Sequence, residues 1–269
     1  MKKIVAGTDF SASSANAASY AASMALTLNA ELFLLHAYEL PVSSGEISLP
    51  IDVDAWQRDA EAALRSLQHD LEIQTKGALQ IHGQVHMGSF FGELETVCEQ
   101  MKPYAVVIGS TGKTSAERIL FGSNAIQTMK HLHWPVIAVP PNVSYTQIKK
   151  IGLACDLENV SEKLPLSEIR LLLNDFQAEL HVLNIGASAA DARVASRFLE
   201  DKFHPLKTKF HFLEGTDIDQ GILEFAEKKN IDLLIVLPRR KNLIDALLKK
   251  SHTRQFVLHS HMPVMALHQ

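Results

Sequence analysis

The sequence predicts an α/β protein made of two tandem doubly wound parallel sheets, and two observations carry this prediction. Short apolar runs such as Ala105–Ile108 alternate along the chain with longer amphipathic segments, which is typical of parallel strands connected by helices. The second half also repeats the first. From Glu95 to Val139 the repeat keeps a constant offset of 128 residues, so that Pro135 matches Pro263, and a repeat of this length indicates two copies of one domain.

The apolar runs of the first half predict strands over about 2–8, 31–37, 80–87, 104–109 and 135–139. The segments between them predict helices over about 12–29, 54–75, 90–101 and 118–132. Ser11 or Ser13 can cap the first helix and Asp52 the second, because these side chains accept hydrogen bonds from N–H groups of the first turn. Right-handed crossovers then place helices on both faces of the sheet.

The repeat also predicts where the domains divide. Lys3–Phe10 matches Lys150–Leu157, and Ala30–His36 matches Ala178–Asn184. The segment Pro140–Tyr145 between the copies has the composition of a loop. We therefore expect one domain over residues 1–143 and a second over 147–269.

The last strand of each half is apolar and needs a partner. The two segments are Val136–Val139 and Val264–Leu267, and an uncovered apolar edge strand invites association. Pairing of these strands within one chain would build a pseudo-dimer of domains. Two such chains are then expected to associate as a homodimer.

Composition excludes several classes of function. The 269 residues are 46% apolar and 21% charged, and the net charge is −4, which argues against a general nucleic-acid binder. No apolar stretch has the 18 or so residues of a membrane span, and the first residues are too polar for a signal peptide. The two cysteines, Cys98 and Cys155, lack metal-type spacing. We expect both to be reduced and the protein to be cytoplasmic.

The most informative motif follows the strand near 104–109. It has the spacing Gly-x2-Gly-x9-Gly-Ser, formed by Gly109, Gly112, Gly122 and Ser123. Glycines at a strand end let the backbone approach a ligand, and exposed N–H groups before a helix form a seat for phosphate. The common phosphate loop is excluded, because it would need glycine where Val107 stands. A glycine-rich turn without a ligand remains the alternative.

This motif, together with the strand Pro135–Pro140, resembles the nucleotide loop of the universal stress protein family, in its ATP-binding branch. The resemblance covers nearly the whole chain. It implies two tandem Rossmann-like domains of the adenine nucleotide alpha hydrolase-like type. It also implies that an adenine nucleotide binds at the carboxyl ends of the strands, as is usual in such sheets, and that the cofactor is ATP accompanied by Mg²⁺.

By this resemblance, Asp9 lies at the adenosine end of the nucleotide, where a carboxylate can accept hydrogen bonds from a ribose diol. A capping role for Asp9 is the alternative, and both roles can coexist. Lys113 can add a positive charge at the phosphates or can simply be solvated. The nucleotide-binding residues implied are Thr8, Asp9, Ala37, Gly109, Thr111, Gly112, Lys113, Gly122, Ser123 and Asn124.

The second half lacks this motif. At the constant offset, Gly109 becomes Leu237, Gly112 becomes Arg240 and Gly122 becomes Lys250. Side chains at these positions block a close approach of the backbone, so ATP is expected in the first domain only. The basic run Arg239–Lys241 is either a solubilising turn or a contact for another anion or an acidic partner.

The expected function is that of a nucleotide-responsive stress regulator, whose conformation an unknown protein partner reads. No general base is visible beside the loop, so hydrolysis is at most slow and no catalytic residue is assigned. A ligandless scaffold and an adenylating or ATP-hydrolysing enzyme on the same fold are the alternatives. Histidines at positions 131, 133, 259 and 261 lack further ligands at a zinc spacing, so no metal site is assigned.

Overall fold

The fold is known from a computed structural model, which describes residues 1–40, 52–111, 123–154, 164–185, 189–213, 218–237 and 262–268. Strands and helices alternate along these residues. The strands are β1 (Lys2–Gly7), β2 (Ala30–Tyr38), β3 (Ile81–Met87), β4 (Ala105–Gly109), β5 (Val136–Val139), β6 (Lys150–Ala154), β7 (Glu179–Ile185), β8 (Thr208–Leu213), β9 (Leu233–Val236) and β10 (Val264–Ala266). The helices are α1 (Ala12–Leu28), α2 (Val53–Gln74), α3 (Phe90–Met101), α4 (Ser123–His131), α5 (Leu166–Phe176), α6 (Ala189–Phe203) and α7 (Ile218–Lys229).

All ten strands form one sheet in the order β3-β2-β1-β4-β5-β10-β9-β6-β7-β8. Each half contributes five parallel strands in the same relative order. The halves meet where β5 pairs antiparallel with β10, with Val264 opposite Ala138 and Ala266 opposite Val136. The predicted α/β class with two tandem doubly wound domains is therefore confirmed, and so is the pairing of the two last strands.

The predicted elements of the first half agree with the structure within two residues wherever both are described. Ser11, rather than Ser13, caps α1, because its hydroxyl accepts the N–H of Ser14 at 3.2 Å. Asp52 caps α2 by accepting the N–H of Ala55 at 2.9 Å. The predicted start of the fourth helix, at 118–122, lies outside the described residues.

The core has two layers, one on each face of the sheet, and both layers run through the two halves. Helices α1, α2, α5 and α6 cover one face, and their buried side chains form a single apolar cluster with the strands beneath. Helices α3, α4 and α7 cover the other face in the same way. Strands buried on both faces explain the continuous apolar runs in the sequence.

Side chains reinforce the join between the halves. Lys2 at the start of β1 forms an ion pair with Asp175 near the end of α5, with an N–O distance of 2.5 Å. His268, just after β10, donates its Nε2–H to the carbonyl of Met129 in α4 at 3.0 Å. Among the described residues, no helix is long and apolar enough to cross a membrane.

Candidate functional site

The candidate site lies where the order of strands changes direction. Strand β1 pairs with β2 on one side and with β4 on the other. After β1 the chain builds β2 and β3 on one side of β1, and it then crosses to build β4 on the other side. The connections that follow β1 and β4 therefore diverge, which opens a crevice at the carboxyl ends of these two strands. Asp9 follows β1 and Gly109 ends β4, so the topology brings these two predicted site residues to the same crevice.

The turn from β1 to α1 is held by a compact set of hydrogen bonds. The Oδ1 atom of Asp9 accepts the N–H of Ser11 at 3.0 Å, and the Oγ1 atom of Thr8 accepts the N–H of Phe10 at 3.0 Å. The Thr8 hydroxyl is buried and lies 3.1 Å from the hydroxyl of Ser14. Asp9 therefore orders the turn, while Ser11 performs the capping that was the alternative role for Asp9.

Two aromatic rings lie beside this turn. Phe10 adopts a left-handed backbone conformation with φ of 61°, and its ring lies 4.3 Å from the ring of His36 between centroids. His36 donates its Nδ1–H to the carbonyl of Thr8 at 2.8 Å, since a carbonyl can only accept. His36 is therefore packed and hydrogen-bonded, and its tautomer is fixed by the turn.

Ala37 lies in a part of β2 that extends past β1. The last residue of β2 paired with β1 is Leu35, whereas pairing with β3 continues to Tyr38 opposite Met87. At Ala37 the backbone of β2 therefore pairs with β3 on one side, while β1 has already ended on the other side. This is the edge to which the resemblance assigns contact with adenine.

The glycine at the end of β4 is required by packing. A Cβ atom on Gly109 would lie 2.7 Å from the Oγ atom of Ser13 and 3.0 Å from its carbonyl carbon and oxygen. The φ angle of Gly109 is not in the left-handed region. Its role is therefore a close approach of strand to helix α1, and the freedom to take positive φ is not used at this position.

Polar groups without partners surround this contact. The hydroxyls of Ser13 and Ser110 are both buried, and neither has a hydrogen-bond partner among the described residues. The N–H of Ser110 is used, since it donates to the carbonyl of Val139 at 2.9 Å. Buried hydroxyls are normally satisfied, so these two are exceptions close to the end of β4 in the chain or in space.

Only part of the glycine motif can be placed. Thr111 is half-buried and follows the end of β4, and Asn124 is exposed in the first turn of α4. Ser123 is the first residue of α4, and its side chain is not described. Gly112, Lys113 and Gly122 lie outside the described residues, so their predicted contacts stay predictions.

The second half differs at the matching strand end. Leu237, which stands where the first half has Gly109, follows β9 and is only 2% exposed. Its side chain belongs to the apolar layer beneath α5 and α6. Asp156, Arg240 and Lys250, like the basic run at 239–241, lie outside the described residues.

Three histidines of the first half contact other side chains. His82 stacks on Phe33 with 4.6 Å between ring centroids, and the Nδ1 atom of His86 lies 2.8 Å from Glu93. His131 packs edge-on against Phe91. Over the part of the chain that the structure describes, no three histidine, cysteine or acidic side chains form a metal-type cluster.

Sequence reasoning missed one neighbour of the crevice. A Cβ atom on Gly7 would lie 2.5 Å from the ring of Phe90, the first residue of α3. Glycine in the interior of a strand signals a close approach, so Gly7 was the available clue. The sequence contains no such clue to the position of Phe10 beside His36. Phe10 adopts a left-handed backbone conformation, which is uncommon for phenylalanine and would not be expected from the sequence.

The fold and this crevice define a class of protein, namely two doubly wound α/β domains fused in one chain and joined through their last strands. The model of the universal stress protein family matches the chain twice, over residues 1–140 and 147–268. The chain therefore belongs to the universal stress protein family and carries two copies of its domain.

One relative agrees with this assignment, and two solved structures share the fold. The chain is 33% identical over 142 residues to a universal stress protein of Methanocaldococcus jannaschii, which covers 51% of this chain and 81% of that protein. A universal stress protein from Archaeoglobus fulgidus has a similar structure, with a TM-score of 0.73 at 18% identity over 99% of this chain and 96% of that one. A protein of unknown function from Pseudomonas aeruginosa gives a TM-score of 0.60 at 14% identity, over 100% and 92% of the two chains.

Proposed function

We propose that the first half binds one ATP, accompanied by Mg²⁺, in the crevice between the ends of β1 and β4, and that the second half binds none. The observation that carries this proposal is the convergence of Asp9 and Gly109 at the point where the strand order changes direction. Crevices at this point are the usual ligand sites of doubly wound sheets. The adenosine end lies at Asp9 and Ala37, and the phosphates lie at Gly109 and the start of α4.

The described residues fit such a ligand. The amino end of α4, a helix of nine residues, lies at the phosphate side, where free N–H groups and the helix dipole favour anions. The buried hydroxyls of Ser13 and Ser110 add polar atoms there. Mg²⁺ is usually held largely by the phosphate oxygens and water, so the protein needs few ligands of its own.

The nucleotide serves regulation in this proposal. Its binding changes the conformation of the protein, and a protein partner reads that change. The sequence shows no general base beside the glycine motif, so in this proposal turnover is slow or absent. We further propose a cytoplasmic location, a homodimer of chains, and a domain boundary between residues 143 and 147.

Isothermal titration of the full-length protein with Mg-ATP tests the proposal. We expect one nucleotide per chain and an affinity in the micromolar range, which corresponds to about 8 kcal/mol. Gly112→Arg and Gly122→Lys install the second half's own residues in the first half and should abolish binding. The reverse changes, Arg240→Gly and Lys250→Gly, are matched controls and should leave binding at one per chain.

Mass spectrometry of small molecules released from the purified, denatured protein distinguishes the alternatives. Co-purified ATP supports the proposal. AMP or an acyl-adenylate would favour an adenylating enzyme. Two nucleotides per chain, or no binding of Mg-ATP at millimolar concentration, would refute it.

A further inference from the structure

A pair of histidines lies on neighbouring strands of the second half, far in sequence from the glycine motif. The Nε2 atom of His211 on β8 is 3.2 Å from the Nδ1 atom of His181 on β7. The two ring planes are nearly parallel, with 9° between them and 5.2 Å between the ring centroids. The short distance between the two nitrogens is that of an N–H···N hydrogen bond.

Glu179 fixes which ring donates. Its Oε1 atom lies 3.1 Å from the Nε2 atom of His181 and also contacts the ammonium of Lys209. Neither of these two atoms has a hydrogen-bond partner among the described residues, so the contact with His181 is electrostatic. The negative charge of Glu179 favours a proton on the Nε2 atom of His181 that faces it, which leaves a lone pair on Nδ1. His211 therefore donates its Nε2–H to His181, and the chain of contacts runs from His211 through His181 to Glu179.

This arrangement suits two neutral rings. A second proton on His181 would go to Nδ1 and would place two N–H groups face to face. A second proton on His211 would add a cation close to the ammonium groups of Lys209 and Lys229, which both oppose it electrostatically. Lys150 on β6 opposes a positive charge on His181, and Glu179 is the acidic group that favours one.

Helix α7 packs directly on the pair. Its Phe225 is buried, with its ring centroid 4.6 Å from that of His211 and 6.3 Å from that of His181. His181 itself is only 3% exposed. A charge on either ring would therefore lie in the apolar contact between α7 and the sheet, where an ion is poorly tolerated.

We propose that the His181–His211 pair is an acid-sensitive contact that holds α7 on the sheet of the second half and releases it when the pair gains a proton. Burial lowers the pKa of both rings, that of His211 to about 4. Histidine in an unfolded chain titrates near 6.5. The packed state is therefore favoured above about pH 6.5, and its advantage is lost as the pH falls from there toward 4.

The first half supplies a matched control. In the corresponding register Phe33 stands where the second half has His181, and Gln84 stands where it has His211. Helix α3 occupies the place of α7. The double substitution His181→Phe with His211→Gln therefore transfers the first half's residues to the second and removes the titrating pair.

Hydrogen exchange of the full-length protein, followed by mass spectrometry at pH 7, 6 and 5, tests the proposal. In the wild type, the opening of α7 relative to α3 should increase about twentyfold from pH 7 to pH 5, as the difference between the folded and unfolded pKa values of His211 implies. The double variant should change less than twofold. Parallel behaviour of α7 and α3 in the wild type, or an unchanged pH response in the variant, would overturn the proposal.

A second measurement needs no variant. The ring protons of His181 and His211 can be titrated by NMR in the wild-type protein, with His69 as an exposed reference. A midpoint for His211 below pH 5 supports the proposal. A midpoint near 6.5 refutes it, even if the double variant does not fold.

Discussion

The contact between Gly109 and Ser13 can be tested by adding a single methyl group. In Gly109→Ala the new Cβ atom would lie 2.7 Å from the Oγ atom of Ser13 and 3.0 Å from its carbonyl group. The carbonyl belongs to the backbone of α1, so it cannot rotate away, and β4 and α1 must move apart. Overpacking of this kind costs about 1–3 kcal/mol, and we expect a loss of about 2 kcal/mol.

Gly83→Ala is the matched control. Gly83 also lies in a strand, on β3, and neither glycine uses a left-handed conformation. The added methyl group would lie 3.0 Å from the end of the Leu64 side chain, which can change rotamer. Alanine has less conformational freedom than glycine in the unfolded chain, and this offsets part of that cost. We therefore expect the free energy of unfolding to change by no more than about 0.5 kcal/mol.

Urea unfolding followed by tryptophan fluorescence gives the required free energies. Both tryptophans are in the first half, at positions 56 and 134, so the signal reports the half that contains both substitutions. With an m-value of about 2 kcal/mol/M, the Gly109→Ala midpoint should fall by about 1 M relative to the wild type. A Gly109→Ala midpoint equal to that of the wild type, or no lower than that of Gly83→Ala, would show that β4 does not depend on this close approach.

Three further predictions follow from buried contacts. Asn16 donates its side-chain N–H groups to the carbonyls of Pro140 and Val143 at 3.2 and 3.0 Å, so Asn16→Ala should lower the free energy of unfolding by about 1–2 kcal/mol in urea; an unchanged midpoint would contradict this. Burial raises the pKa of the Cys98 thiol to about 12, so a disulfide reagent at pH 8 should leave the peptide containing Cys98 unlabelled in the native protein and label it in urea. Because one sheet joins the halves, tryptophan fluorescence and far-UV circular dichroism should give the same urea midpoint, and separate midpoints would show that the halves unfold independently.

The sequence was sufficient to predict the strands and their arrangement. Strands β4 and β5 are apolar runs of the length that a doubly buried strand needs, whereas β3 is largely polar and exposed. The constant offset to the second half identified the repeat. Parallel strands joined by helices then leave few topologies. The pairing of β5 with β10 followed from the apolar character of both strands.

Contacts across neighbouring strands could not be predicted in the same way. His181 and His211 meet only because the register places Leu183 opposite His211 and His181 opposite Lys209, and no local pattern encodes this register. Topology places Gly109 at the crevice, yet its contact with Ser13 depends on how closely α1 approaches β4. Interactions of this kind depend on distances between elements, whereas hydrophobic periodicity specifies only the elements themselves.

The difference between the halves at the end of the fourth strand has a physical explanation. Gly109 offers no side chain to the core and permits α1 to approach, whereas Leu237 is buried at the same position of the second half. Burying a leucine side chain contributes about 1.5–3 kcal/mol to the stability of the fold. In the first half, the close approach of α1 to Gly109 leaves no room for such a side chain. The same sheet can therefore carry a close contact between strand and helix at one strand end and a buried leucine at the other, because the strand pairing determines the fold and the residues at the strand ends can differ.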